Sequence, residues 1–247
     1  MKITRILAMA LMVGLLAACG PVESLHPLFE PKDRIEMPAL VGGWIGVENH
    51  NEPDGTQLTI KGESDKTYEI VFTVDNENKK NKKTTHFRGE FGRVGDFVFL
   101  DVYTDSEAIG DAPAVPVHQF FLVGVAGDSL ELAYMDDDGL REEIQEGRTR
   151  IAHKILCPSV PQPAQTKDIV AQSWWHGYPS SPIIRMTAQT KDLQVLALEY
   201  AKEAEALRLS MMQNPSTMVE YTKETRAIFV LIGLRFRRLS AAPAEEF

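Results

Sequence analysis

Short runs in which apolar and polar residues alternate fill the middle of the chain. Tyr68, Ile70, Phe72 and Val74 occupy every second position. Side chains two apart share one face of a strand, so this spacing predicts a half-buried β-strand. Leu58 and Ile60 alternate with polar neighbours, and Phe87, Gly89 and Phe91 alternate with His86, Arg88 and Glu90. Leu130, Leu132 and Tyr134 repeat the pattern, and Trp44 to Val47 follows the Gly42-Gly43 pair. Phe97 to Tyr103 and Val117 to Val125 are apolar at both odd and even positions, which predicts strands covered on both faces. These are about seven strands in roughly 95 residues, mostly joined by short turns. Such spacing predicts an up-and-down antiparallel barrel or sandwich rather than βαβ units.

The period changes later in the chain. Asp136 to Gly147 reads as a helix with Asp138 as its cap and Glu142 and Glu143 near its positive end. Ile183 to Met186 is a strand candidate ending at Thr187. Thr190 then caps a helix with Asp192 in its first turn. Leu193, Leu196, Ala197, Tyr200, Ala204 and Leu207 fall at three- and four-residue steps, a core-facing stripe. Ala227 to Leu234 is apolar and runs into Arg235, Arg237 and Arg238. Eight such residues cannot span a bilayer. They predict either a helix packed on the protein or one lying on a lipid surface.

The N-terminus carries its own message. Lys2 and Arg5 precede an apolar run from Ile6 to Ala18, which suits a secretory signal. Leu16-Ala17-Ala18-Cys19-Gly20 resembles the lipobox of bacterial lipoproteins, in which the cysteine is acylated and the chain is cut before it. An ordinary cleaved signal with an incidental cysteine is the alternative. Acyl groups on Cys19 would hold a folded domain stably to one leaflet, since two or more chains bind where one barely does. Gly20 is not Asp, so the resemblance implies the outer membrane, with the protein facing the periplasm. Gly20 to Pro38 has four prolines and little periodicity and reads as an extended tether.

Processing would remove Lys2 and Arg5 from 26 basic residues, leaving 24 against 35 acidic ones, so 24 − 35 = −11. That charge argues against nucleic acid as a partner and against broad adhesion to anionic lipid. Cys157 is the second cysteine, in the proline-rich stretch Cys157-Pro158-Ser159-Val160-Pro161. With Cys19 acylated no internal disulfide can form. Cys157 is then a free, partly covered thiol or part of an intermolecular bridge.

Several pieces in order resemble a family of uncharacterised bacterial lipoproteins with lipocalin-like cores. They are Ser24-Leu25-His26-Pro27-Leu28-Phe29, Ala39 to Trp44, Phe99-Leu100-Asp101-Val102, Val117-His118-Gln119-Phe120, Leu130 to Asp136 and Ile184 to Gln194. The likeness covers roughly residues 19 to 205. Gly42-x-Trp44 also resembles the Gly-x-Trp that opens the first lipocalin strand, where the tryptophan closes one end of the barrel. The resemblance implies a mainly β fold with C-terminal helices, a lipocalin-like antiparallel up-and-down barrel of about eight strands. It supplies no catalytic residues. The expected organisation is a signal peptide over 1–18, a lipid-anchored tether over 19–38 and a barrel over 39–155. A proline-rich loop over 156–182, a closing strand and helix over 183–210 and an extension over 211–247 follow.

Candidate chemistry is sparse. Gly127-Asp128-Ser129-Leu130 spells the signature of a family of serine esterases, which would make Ser129 a nucleophile. A nucleophilic serine needs an activating histidine and an orienting carboxylate. The Asp-x-x-His pairing of that esterase family is missing, and the flanks alternate as strands. Gly-Asp between strands predicts a tight hairpin. Asp136-Asp137-Asp138-Gly139 suggests a calcium loop. In EF-hand register, however, Tyr134 and Gln145 stand where carboxylates are required, and helix capping accounts for the acids better. The six histidines show no metal-binding spacing, so neither a metal nor a non-covalent cofactor is expected. Lys79, Lys80, Lys82 and Lys83 form a basic hairpin tip, solvated or close to anionic headgroups. Trp174, Trp175, His176 and Tyr178 cluster in the loop before the last strand, either pinning it or lining a barrel mouth.

Three functions follow. The first is a non-enzymatic binding module for a small apolar or amphipathic ligand. The second is a structural or adaptor lipoprotein with a filled barrel and an unknown protein partner. The third is a hydrolase using Ser129.

Overall fold

In the computed structural model the described residues are 22–47, 53–76, 81–103, 116–135, 137–156, 183–213 and 234–239. Eight strands close into an antiparallel barrel. In chain order they are β2 (Gly42–Val47), β3 (Pro53–Gly62), β4 (Thr67–Asn76), β5 (Asn81–Val94), β6 (Phe97–Tyr103), β7 (His118–Ala126), β8 (Ser129–Tyr134) and β11 (Leu234–Arg238). Each pairs with the next, and β11 joins β8 to β2. The fold is thus the expected one, mainly β with an antiparallel barrel and helices, although the helices fall between the seventh strand of the ring and the eighth.

Register explains the inside. Trp44 stands opposite Leu58, Leu58 opposite Phe72, Ile70 opposite Phe87, Phe91 opposite Leu100 and Leu100 opposite Phe121. Leu132 and Leu130 then face Leu234 and Phe236. The two-residue period therefore carries one continuous apolar layer around the ring.

The wall over β5–β7 has a second core on its outside. Phe99 and Phe120 point outward yet are buried. They are covered by helix α2 (Thr190–Gln213), helix α1 (Asp137–Gln145) and a small outer sheet of β1 (Val22–Ser24), β10 (Ile183–Met186) and β9 (His153–Leu156). Leu193, Leu196, Ala197, Tyr200 and Ala204 form the buried stripe of α2. The doubly apolar strands of the sequence are those covered on both sides.

Three expectations change. The strand Ile183–Met186 does not close the barrel: it pairs with β1 and β9 outside it, and β11 closes the ring. The C-terminal helix is not what 234–238 forms, because Leu234 and Phe236 face inward while Arg235 and Arg237 face solvent, a strand's alternation. Residues 214–233 lie outside the described ones. The tether over 19–38 is not a tether from residue 22 onward: Val22, Leu28 and Phe29 are buried in the outer core. Phe29 lies against Gly92, where any Cβ would collide with its ring. The Thr190 hydroxyl donates to the Pro27 carbonyl at 2.8 Å instead of capping α2, so helix and N-terminal segment fix each other.

Candidate functional site

Two places could carry function: the barrel interior and a polar cluster beneath the N-terminal segment. The interior is filled from its hairpin end, the one that carries the β3–β4, β5–β6 and β7–β8 turns, to its middle. Trp44, Leu58, Ile60, Phe91, Leu100, Leu130 and Phe236 are each at most 1 % exposed. Tyr68 and Phe91 meet edge to face with centroids 5.0 Å apart. Phe72 of β4 reaches Phe236 of β11 at 5.8 Å, again edge to face. Those strands are three places apart around the ring, so the rings interlock across the lumen. The hairpin end is stoppered by the segment carrying Ile35, Met37 and Leu40. The Met37 N–H donates to the Tyr68 hydroxyl at 2.7 Å, and Trp44 Nε1 donates to the Leu40 carbonyl at 2.9 Å. The Arg238 guanidinium lies 4.7 Å from the Trp44 ring and donates to the Ala39 carbonyl. At the other end the inward row becomes more polar and open. Thr56, Thr85 and Gln119 replace aromatic residues, and Val74 is 38 % exposed.

The polar cluster sits on the outer wall of β5–β7. Glu90, Asp101, Tyr103 and His118 all face outward there, since Glu90 pairs with Asp101 and Tyr103 with His118. The N-terminal segment seals them. The Leu28 N–H donates to Asp101 Oδ2 at 2.8 Å, and His118 Nδ1 lies 2.8 Å from Asp101 Oδ1. Arg34 Nε approaches Glu90 Oε2 to 2.8 Å, but its N–H is poorly aligned, so the contact is an ion pair more than a hydrogen bond. The Tyr103 hydroxyl donates to Glu90 Oε1 at 3.4 Å, and its ring rests 5.1 Å from that of His118.

Burial sets the electrostatics. Desolvation raises the Asp101 carboxyl above the usual range, opposed by His118 and the Leu28 amide. Glu90 is raised for the same reason, opposed by Arg34. The Tyr103 phenol is pushed up to about 12 by desolvation and then by the Glu90 charge.

Asp101 and His118 look like the carboxylate–imidazole half of a nucleophilic triad. Ser24 is the cross-strand partner of His118. Its hydroxyl, however, donates to the His26 carbonyl at 2.8 Å, and the residue has no exposed surface. A substrate could reach this hydroxyl only if the N-terminal segment lifted. In the arrangement present the cluster clamps that segment to the barrel. A second clamp holds β1 to β10. Arg185 donates through Nε at 3.3 Å and Nη2 at 2.9 Å to Glu23 Oε2, on a carboxylate only 1 % exposed and raised by desolvation.

The residues singled out in the sequence fare differently. Ser129 begins β8 at an exposed position, opposite Ala126 and Arg237. Gly127 has φ 58 at the first position of the two-residue loop, as a type II′ hairpin requires. Among the described residues no histidine is hydrogen-bonded to Ser129: His26 meets Gln189, His86 meets Glu69, His118 meets Asp101 and His153 meets the Ile151 carbonyl. Cys19, Cys157, Trp174, Trp175, His176 and Tyr178 lie outside the described residues, as do Asp136, Lys79 and Lys80. Lys82 pairs with Asp75 at 3.4 Å on the exposed β4–β5 hairpin. Among the described residues no three His, Cys, Asp or Glu side chains are disposed to hold a metal ion. The clamp residues were within reach of sequence reading, because Asp101 and His118 interrupt strands that are otherwise apolar. No family model, curated protein or solved structure matches the chain.

Proposed function

We propose that the protein is an outer-membrane lipoprotein held by acyl groups on Cys19, whose barrel is a rigid adaptor scaffold rather than a carrier. One observation supports this over the carrier reading. The lumen is occupied by its own aromatic side chains, with Phe72 and Phe236 in contact across it. A carrier barrel of this strand number keeps its lumen for the ligand. Protein from cells expressing Cys19→Ser should carry no acyl mass, whereas the unaltered chain should carry it on residue 19. Delipidated protein should show no co-purified ligand in native mass spectrometry and no saturable uptake of a fluorescent fatty acid. Stoichiometric uptake would overturn the adaptor reading.

A second reading keeps an apolar or amphipathic ligand but seats it at the loop end. Half-exposed Val74 beside Thr56 favours it, being an apolar contact with polar neighbours. Under that reading Val74→Trp would alter fatty-acid affinity, while Phe72→Trp, deeper in the filled region, would not.

A further inference from the structure

We infer that the flank of the barrel on which β1 docks is laid against the lipid surface, and that the β3 wall is turned away from it. This rests on the proposed acylation of Cys19. Three residue steps separate Cys19 from Val22, where β1 begins. At about 3.6 Å per step, the acylated residue lies within about 11 Å of that strand. A domain of this size is about 40 Å across, so the leash cannot reach around it. Any surface that meets the bilayer must therefore include the place where β1 emerges.

The strand is also well held. Val22, Glu23 and Ser24 pair in parallel with Ile184, Arg185 and Met186. The Leu25 N–H donates to the Met186 carbonyl at 3.0 Å. Val22 is 7 % exposed within the outer core, and Glu23 is tied to Arg185 at 2.9 Å. Peeling β1 away to lengthen the leash would leave the Glu23–Arg185 pair broken and the Val22 side chain in water. Removing one partner of a buried pair is strongly unfavourable.

Ring order then fixes which wall is distal. The bridge from Ser24 goes to His118 at the start of β7. β7 and β3 are separated by four steps either way around the eight-strand ring. They lie on opposite walls. Gln57 is exposed on the outer face of β3, whereas exposed Thr187 directly follows Met186, on the same flank as β1 and next to its Ser24 end.

The test uses full-length acylated protein in phosphatidylethanolamine–phosphatidylglycerol vesicles whose headgroups carry a nitroxide quencher. A fluorophore is placed at Thr187→Cys or at Gln57→Cys, each in a Cys157→Ser background. The Thr187 label should be quenched several-fold more than the Gln57 label. A flexible Gly/Ser insert of about 15 residues after Pro21, spanning roughly 20 Å, should abolish the contrast. Equal quenching at the two sites, or stronger quenching at Gln57, in protein shown by mass to be acylated and bound would overturn the orientation alone. A contrast that survives the insert would overturn the leash as its cause. A chain that carries no acyl mass would sink the anchor reading and the orientation with it.

Discussion

Asp101→Ala tests whether the buried cluster is a clamp. The substitution leaves the Leu28 N–H and the His118 ring facing a site with no exposed surface. Whichever of the two carries the hydrogen, the His118 contact is lost together with the carboxyl. Leaving a buried donor or acceptor without its partner costs about 1–3 kcal/mol, and two are left so here, the Leu28 N–H and the His118 ring nitrogen. The expected loss is therefore about 2–6 kcal/mol, of the order of a third of a typical domain's stability. Equilibrium urea unfolding followed by circular dichroism reads it directly. With a slope of about 2 kcal/mol/M, the midpoint should fall by about 2 M at unchanged slope. A loss below about 1 kcal/mol, the value of a solvated pair, would refute the clamp. The double-mutant cycle with His118→Ala should give a coupling of about 1.5 kcal/mol or more, and additivity would show that the two side chains do not stabilise one another.

Four further outcomes are expected. Asp101 has a raised folded-state pKa, so the native state holds its proton more tightly than the unfolded chain and stability falls as pH climbs from about 4 through the raised value. Asp101→Asn should flatten that fall in urea midpoints measured from acid to neutral pH, and an unchanged slope would contradict it. Phe236→Ala should cost about 3–5 kcal/mol if β11 is a wall of the barrel, whereas a change within about 0.5 kcal/mol would place the segment off it. Gly92→Ala should cost about 1–3 kcal/mol by driving a Cβ into the Phe29 ring, and the cost should shrink in a Phe29→Ala background. Ser129→Ala should leave stability within about 0.5 kcal/mol and ester hydrolysis unchanged; loss of a measurable hydrolysis would revive the nucleophile reading.

The seven strands from Gly42 to Tyr134 were legible because four carry a two-residue period, two are apolar on both faces, one follows a glycine pair, and most are joined by short turns. The α2 stripe was legible for the matching reason at helical spacing. What misled was context. Leu234-Arg235-Phe236-Arg237 alternates as clearly as β4, but it follows an apolar run and reads as that run's polar end. Its partners, β2 and β8, lie far away in sequence, and no local signal announces them. The N-terminal segment has a tether's prolines, yet Leu28 and Phe29 find an apolar wall that only the folded barrel provides. Asp101 and His118 carried a signal of a different kind, charge inside an apolar strand. Sequence shows that such a group needs a partner, while the fold alone shows that the partners are one another and the Leu28 amide.

The seam of the barrel also dictates an order of assembly. β2 is the first strand of the ring and β11 the last, and Gly46 pairs with Phe236. Until residues 234–238 are available, β2 and β8 each present an unpaired edge and the aromatic lumen has a slot along one side. A chain delivered N-terminus first thus cannot complete its core until residues 234–238 have arrived. Contacts so distant in sequence form slowly. During that interval the open edges are templates for pairing with a second copy. Truncations that remove β11 are therefore expected to aggregate rather than to yield a smaller soluble domain.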